Sequence, residues 1–303
     1  AENGAFAEAD LAREKRKAIE HINGEMSEKR IYAKNRLIEE MYKDEAYGIP
    51  KCGTVEGVEK ITGESLFTAW RNMLETAYIR IIIIGAALPA KLFDDIADNF
   101  TGCERHNITD CTKNKPTEAR PEPITVTEKM PVQQGKLVMG FSSSVYGDDS
   151  ESLPLMVMTD IFGGGPYSRL FSNVREKMSL CYYCSASALR AKGLLLVESG
   201  VEKENTDKTE KAVIEQLLAV KNGEFSDFEF QSSLKSIRDS LSTYNDSQNS
   251  LDVWYSVKAY NKELYSPEDI AERISEITRA DIIKTANGVN LHTVYKLLPQ
   301  EAE

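Results

Sequence analysis

The sequence predicts an α+β fold in which helices pack on one face of a mostly antiparallel sheet. Apolar residues recur at helical spacing through residues 7–45. Further along the chain, alternating strand-like segments cluster within residues 124–200, and helix-like segments cluster within residues 206–286. Strands grouped with strands and helices grouped with helices are typical of an α+β layer rather than of alternating βαβ units.

Composition limits the possible functions. The 303 residues allow two domains, and 41% hydrophobic with 28% charged residues is ordinary for a soluble globular protein. The net charge of −11 argues against a nucleic-acid surface, which needs clustered Lys and Arg. An acidic cleft would instead attract neutral or basic peptides.

We expect neither a membrane span nor a signal peptide, because no run approaches the roughly 20 apolar residues that a span needs. Residues 79–88 have only strand length. The odd number of cysteines predicts reduced thiols in a cytoplasmic protein, with a disulfide between Cys103 and Cys111 left as an alternative. The five are Cys52, Cys103, Cys111, Cys181 and Cys184.

In the first half, we expect an almost continuous helix over residues 7–45, with Asn23 and Gly24 as its weak point. Thr62 can cap a second helix through its hydroxyl group. Then follow a predicted strand at 79–84, a short helix at 89–100, and a polar, proline-containing linker at 101–122. We therefore divide the chain into residues 1–118, the end of one incomplete domain with its linker, and residues 119–303, a complete second domain.

The second half is predicted to contain five strands and several helices. Strands are expected at 124–128, 136–141, 180–189, 193–200 and 291–298. Helices are expected at 152–162, 206–221, 226–246, 248–262, 266–275 and 279–286, with a further short helix that ends at residue 177.

The most informative motif is residues 163–186, GGGPYSRLFSNVREKMSLCYYCSA. Its glycines allow a tight turn between two helices. The short helix that follows carries Arg175, and the next strand carries Tyr182 beside it. A guanidinium and a phenol can both donate hydrogen bonds to carbonyl oxygens.

This segment resembles a signature in the second domain of M16 peptidases, the insulinase/pitrilysin-like and mitochondrial-processing-peptidase-like family. Residues 47–62, YGIPKCGTVEGVEKIT, are similar to a stretch in the first domain of that family. The resemblance extends over essentially the whole chain. It implies M16/LuxS-type metallohydrolase-like domains, and it implies that Arg175 and Tyr182 bind a peptide substrate. The alternative is that Arg175 forms a surface ion pair and that Tyr182 is a half-buried strand residue.

The resemblance also implies a zinc site that this sequence does not contain. Active members use HxxEH on a helix, with two zinc-binding histidines and a glutamate base. The three histidines here are His21, His106 and His292, and none belongs to such a motif. The family's third ligand position falls on His21, which is either a partly exposed helix residue or a variant ligand, with Glu20 poorly oriented to replace it. We predict no metal ligands in this chain, and zinc on a partner or on a preceding segment.

The preferred hypothesis is therefore a non-catalytic M16 subunit that binds peptide through Arg175 and Tyr182 and pairs, as a heterodimer, with an active subunit bearing HxxEH. Two alternatives stay open. The chain is a fragment of an active zinc metalloendopeptidase with its motif upstream, or it is a non-proteolytic scaffold or assembly protein of the same fold.

Two other patterns in the sequence are weak signals. Cys181 and Cys184 have the spacing of a redox pair, but on a regular strand they would point to opposite faces. The glycines at 163–165 lack the Lys-Ser/Thr that a phosphate-binding loop needs.

Overall fold

A computed structural model describes residues 4–85, 87–100, 104–109, 115–147, 149–258, 261 and 263–300. By its contacts the chain forms two compact units. Unit 1 comprises Ala1–Glu25, Pro50–Lys113 and Asn245–Leu264, and unit 2 comprises Met26–Ile49, Asn114–Tyr244 and Tyr265–Glu303. The junction at 113/114 is near the predicted boundary at 118/119. However, Met26–Ile49 precedes that boundary but belongs to unit 2, and Asn245–Leu264 follows it but belongs to unit 1.

Unit 1 is helical in its described part. Its helices are α1 (Glu8–Ser27, which ends just inside unit 2), α3 (Val55–Lys60), α4 (Gly63–Thr76), α5 (Leu92–Phe100) and α9 (Gln248–Ser256). Lys15 of α1 donates a hydrogen bond to the carbonyl of Glu59 in α3 at 2.9 Å. The rings of Phe6, Phe67 and Trp70 meet with centroids 5.7–6.0 Å apart. These contacts hold α1, α3 and α4 together.

Two predictions for unit 1 have different outcomes. Thr62 caps α4 as expected, because its hydroxyl accepts from Ser65 N while Ser65 Oγ accepts from Thr62 N. The strand predicted at 79–84 is wrong, since these residues carry no regular secondary structure. A strand needs a hydrogen-bonded neighbour, and no other strand lies in the described part of unit 1 to provide one.

The long N-terminal helix is interrupted, though not where the sequence suggested. α1 continues through Asn23 and Gly24, and α2 (Lys29–Met41) begins after Glu28, whose carboxylate accepts a hydrogen bond from Arg30 N at 3.2 Å. A glycine with open space around it weakens a helix without ending it.

Unit 2 contains a five-stranded sheet in the order β1-β5-β2-β4-β3. β1 and β5 pair in parallel, and the other three pairs are antiparallel, which confirms the predicted mostly antiparallel α+β sheet. The strands are β1 (Ile124–Met130), β2 (Gly135–Ser143), β3 (Cys181–Leu189), β4 (Leu194–Val201) and β5 (Val289–Pro299).

The remaining helices belong to unit 2. They are α6 (Asp149–Gly163), a π-helix (Leu170–Lys177), α7 (Thr206–Lys221), α8 (Asp227–Ser242), α10 (Pro267–Ser275) and α11 (Arg279–Asn287). α6 contacts β3, α7 contacts β2, and α11 contacts β5. The helices of the second half thus pack against the sheet as predicted.

The other face of the sheet is covered by α2. Leu37 of α2 is buried against Val138, Leu196 and Tyr295, which belong to β2, β4 and β5. Because strand side chains alternate between faces, the neighbouring Met139 and Val197 lie on the opposite face of the sheet, where they are also buried. Both faces of the sheet are therefore covered by buried apolar side chains.

Three further expectations concern the linker, a disulfide between Cys103 and Cys111, and a membrane span. The segment 104–109 is anchored, since His106 N and Thr109 N donate to the carbonyls of Glu75 and Thr76 at 3.0 and 2.9 Å. Cys103 and Cys111 lie outside the described residues, as does any disulfide between them. Among the helices described, none combines the length and apolar character needed to cross a membrane.

Candidate functional site

The triple glycine lets two helices and a strand approach closely. Gly163 ends α6, and a Cβ placed on it would lie 2.6 Å from the backbone nitrogen of Ala186 in β3 and 2.7 Å from its Cβ. Side chains do not tolerate contacts that short, so only glycine permits this approach. The predicted tight turn is present, and it positions the π-helix beside β3.

The residues that open the π-helix anchor it to the rest of unit 2. Ser168 and Leu170 are fully buried. Arg169 donates from Nε to Gln216 Oε1 at 3.2 Å, and its Nη1 lies 3.5 Å from the carboxylate of Glu229. Arg169 therefore ties the π-helix to α7 and α8, and its role is structural.

Arg175 lies in the last turn of the π-helix. Its side chain is 39% exposed, its guanidinium carbon lies 4.6 Å from the ring centroid of Phe171, and its Nε lies 3.6 Å from Glu176 Oε1. The surface ion pair considered as the alternative is therefore present. It leaves part of the guanidinium accessible to a ligand.

Tyr182 lies in a β-bulge. Cys181 pairs with Val201 and Tyr183 pairs with Gly200, so Tyr182 is the extra residue of β3 at this point. Tyr182 is 57% exposed, and its hydroxyl donates a hydrogen bond to the carboxylate of Glu202. This hydrogen bond raises the pKa of Tyr182 above its ordinary value. The phenol is thus on the surface, and its hydroxyl is already hydrogen-bonded to Glu202.

A short connection sets the spacing between these two residues. Met178 N donates to Asn173 O at 2.9 Å, an i→i−5 bond that closes the π-helix, and Leu180 N donates to Val174 O at 3.2 Å. Between them Ser179 has φ of +52°, in the left-handed region that few non-glycine residues adopt. The chain therefore reverses sharply from the end of the π-helix into β3.

The bulge also overturns a prediction about the two cysteines. Cys181 and Cys184 were expected on opposite faces, but the extra residue shifts the alternation by one, so that their thiols are close enough to affect each other's pKa. The interaction with the Cys184 thiol, and more weakly Ser199 and the Arg175 guanidinium, outweigh the opposing effect of burial and lower the pKa of Cys181 to about 7. A bulge has no reliable sequence signal, so the sequence alone could not show this contact.

Arg175 and Tyr182 therefore lie on consecutive elements, both on the surface, and Arg175 is close enough to affect the residue before Tyr182. They do not line the cavities found along α4 and α8. The cavity along α4 is lined by Trp70, Leu74 and His106 among others, and those along α8 include Lys235 and Asp239. In the described part of the chain, the side chains of both predicted residues are exposed.

The histidines do not provide the zinc site that the family resemblance implies. His292 is buried in β5, with its Nδ1 2.8 Å from Thr293 Oγ1, and burial lowers its pKa. His106 lies in the segment after α5 in unit 1. His21 lies on α1, with Nε2 3.7 Å from Glu25 Oε1. With no two histidines in one helical turn, the HxxEH arrangement does not fit these residues.

Comparisons with known proteins identify the family. Residues 60–237 match the family described as "Peptidase M16 inactive domain". A Bacillus subtilis protein named "Probable inactive metalloprotease YmfF" is 30% identical over 296 residues, which span 98% of this chain and 69% of that protein.

Two solved structures share the fold. A conserved protein from Enterococcus faecalis has a TM-score of 0.89 at 23% identity, covering 100% of this chain and 72% of its own. A peptidase M16 inactive domain from Pseudomonas fluorescens has a TM-score of 0.75 at 18% identity, covering 98% and 72%. At these identities the structural similarity establishes the fold alone, and the sequence match establishes the family. The chain belongs to the M16 peptidase family, with residues 60–237 matching its inactive domain.

Proposed function

We propose that this chain is a non-catalytic M16 subunit that binds an extended peptide through Arg175 and Tyr182 and completes the active chamber of a zinc-bearing partner. The observation that carries the proposal is the exposure of a guanidinium and a phenol on two consecutive elements of an M16 inactive domain. Both groups donate hydrogen bonds, and peptide carbonyls accept them.

The carboxylates beside these donors favour a particular class of peptide. Glu176 lies beside Arg175, and Glu202 accepts from Tyr182. The chain as a whole carries a net charge of −11. Neutral or basic peptides avoid repulsion from these carboxylates, and a basic side chain can pair with them when the donors turn to the peptide backbone.

The zinc chemistry is assigned to a partner because this chain's histidines do not fit HxxEH. In this arrangement, the chain's own residues bind and orient the peptide, and the metal-bound water belongs to the other subunit. Cleavage should then require both proteins. Heterodimer formation and the identity of the partner are part of the proposal.

A binding measurement tests the site. Fluorescence anisotropy with a labelled, unstructured basic peptide and a neutral one should show saturable binding by the 303-residue chain. Arg175→Ala and Tyr182→Phe should each weaken it by roughly threefold to tenfold, the usual effect of losing one hydrogen bond. Matched controls are Lys177→Ala, another exposed cation of the π-helix, and Tyr146→Phe, another exposed tyrosine.

The outcomes separate the hypotheses. Equal affinity of the two site variants and the two controls would contradict the proposed site and favour a scaffold role. Peptide cleavage by the chain alone, abolished by a chelator, would instead favour an active peptidase. Cleavage that appears only when an HxxEH-bearing M16 subunit is added, and that falls in both site variants, would support the proposal.

A further inference from the structure

Three potential metal ligands converge in unit 1, whereas Arg175 and Tyr182 belong to unit 2. A nitrogen of His21, a carboxylate oxygen of Glu25 and the sulfur of Cys52 all lie within 4.8 Å of one another. The spacing of the histidines predicts no metal ligands, with His21 left open as a variant ligand, and it does not reveal this combination. The three residues come from two separate segments of the chain, so only the fold brings them together.

Helix geometry accounts for the first two ligands. His21 and Glu25 are at positions i and i+4 of α1 and therefore lie on the same side, with Nε2 and Oε1 3.7 Å apart. Ile22, which lies roughly 60–100° around the helix from these two side chains, is buried. The imidazole is 64% exposed, so it can rotate to adjust its position.

A tight turn presents the third ligand. Gly53 N donates to the carbonyl of Pro50 at 3.0 Å, and Gly53 has φ of +70°, a conformation that glycine adopts without strain. Cys52 is the residue before this glycine. Directly after the turn, Thr54 caps α3 by accepting from Gly57 N at 3.1 Å. The turn is therefore held at both ends, and the 2.9 Å hydrogen bond from Lys15 to Glu59 keeps α3 beside α1.

We propose that His21, Glu25 and Cys52 bind a divalent transition-metal ion, with Zn²⁺ as the best match. Imidazole, carboxylate and thiolate are the three ligand types that zinc uses in proteins. Zn–N and Zn–O distances near 2.0 Å and a Zn–S distance near 2.3 Å place the ligand atoms of a tetrahedral site about 3.3–3.6 Å apart. The present separations require only a small contraction by exposed or half-buried side chains.

The chemistry of the site follows from this ligand set. Binding converts the Cys52 thiol to a thiolate and releases its proton to solvent. Three protein ligands leave a fourth position for water or another donor. Ca²⁺ and Mg²⁺ prefer oxygen ligands and are disfavoured by a thiolate and an imidazole. The site joins α1 to the turn before α3, so the bound ion would stabilise unit 1.

Cobalt titration tests the proposal, because Co²⁺ reports its ligands by absorption whereas Zn²⁺ is spectroscopically silent. The 303-residue chain, stripped of metal with a chelator, should bind one equivalent of Co²⁺ with a thiolate-to-cobalt charge-transfer band. Zn²⁺ should then remove that band by displacement. Cys52→Ser should abolish the band, and His21→Ala and Glu25→Gln should each weaken Co²⁺ binding tenfold or more.

The other cysteines provide the control. The variants Cys181→Ser/Cys184→Ser and Cys103→Ser/Cys111→Ser should keep the band at full intensity. Circular dichroism of metal-free Cys52→Ser should match that of the metal-free parent, because the thiol has no required role without the ion. A band that survives in Cys52→Ser, or no thiolate band at one equivalent, would overturn the proposal. None of these results depends on peptide binding.

Discussion

Tyr182 donates its phenolic hydrogen to the carboxylate of Glu202, so the proposed peptide-binding tyrosine is occupied by a residue of its own chain. Glu202 directly follows β4, the strand that pairs with β3, and the bulge at Tyr182 lets the phenol reach it. A peptide carbonyl would have to compete with a charged acceptor for the same hydrogen. Glu202 is therefore expected to limit peptide affinity.

Replacing Glu202 with alanine should increase peptide affinity. The phenol would lose its intramolecular acceptor, and its pKa would fall toward the ordinary tyrosine value, since Glu202 is what raises it. We expect a neutral peptide to bind roughly threefold to tenfold more tightly, as for one hydrogen bond. The measurement is anisotropy with a neutral peptide, because removing a negative charge would weaken binding of a basic one.

Glu204→Ala is the matched control for this experiment. Glu204 is exposed and two residues away, so its replacement makes the same change in net charge without touching Tyr182. If peptide affinity increases equally in both variants, the effect is due to net charge alone, and Glu202 does not limit binding through its hydrogen bond with Tyr182.

Cys181 should be an unusually reactive thiol for its position in a strand. Its pKa is lowered to about 7, first by the interaction with the Cys184 thiol and, more weakly, by the Arg175 guanidinium. Iodoacetamide labelling of Cys181, followed by mass spectrometry, should increase with pH around a midpoint near 7. The reason is that the thiolate is the reactive form.

Two variants assign the causes of this reactivity. Cys184→Ala should raise the pKa of Cys181 most, and Arg175→Ala should raise it less, because those are the first and last contributions to its lowering. A Cys181 midpoint near 8.5, the ordinary cysteine value, in the unmodified chain would contradict the contact between the two thiols. An unchanged midpoint in Arg175→Ala would place the guanidinium farther from Cys181 than the structure does.

The elements that the sequence predicted well have strong local signals. α7 was predicted with the bounds at which it is found, and the Thr62 cap follows from the hydroxyl of Thr62 preceding an apolar helix. The strand predicted at 79–84 failed because strand formation depends on a partner, which residue patterns cannot supply. α2 was correctly predicted as a helix, but its packing on the second face of the sheet depends on tertiary contacts that the sequence pattern does not show.

The candidate sites show the same division between local and tertiary information. Arg175 and Tyr182 were identified by a continuous motif, and the short helix and strand that carry them are present. Glu202, the contact between Cys181 and Cys184, and the meeting of Cys52 with α1 depend on strand pairing, a bulge and a turn. These features arise from backbone geometry that single-residue preferences do not determine.

Glu128 should make unit 2 sensitive to acid. Its carboxylate accepts hydrogen bonds from Tyr32 of α2 at 2.7 Å and from Tyr295 of β5 at 2.5 Å, and Arg36 Nε lies 3.6 Å away. Burial alone would raise the pKa of Glu128, but the two tyrosines and Arg36 outweigh it and the pKa is lowered. Glu128 thus joins the helix on one face of the sheet to two strands.

The sign of the pH effect follows from the lowered pKa. A carboxyl whose folded-state pKa is depressed stabilises the fold fully above its unfolded value of about 4.3, and the stabilisation is lost as pH falls through the lower folded value. Glu128→Gln should cost about 1–2 kcal/mol at pH 7. The difference from the parent chain should shrink below about pH 4. Urea unfolding of both chains from pH 3 to 7 measures this, and a constant difference would contradict it.

Gly163→Ala should destabilise unit 2 and disturb the proposed peptide site together. The added methyl group would lie 2.6 Å from Ala186 N and 2.7 Å from Ala186 Cβ, so α6 or β3 must move. Overpacking of this kind costs about 1–3 kcal/mol. Gly24→Ala is the control, because open space surrounds Gly24 within α1 and alanine favours a helix by about 1 kcal/mol. Thermal unfolding should show a lower midpoint for the first variant and an unchanged or higher one for the second. Since β3 carries Tyr182, peptide affinity should also fall in Gly163→Ala. If this variant keeps both its stability and its peptide affinity, the close approach of α6 to β3 does not position the site.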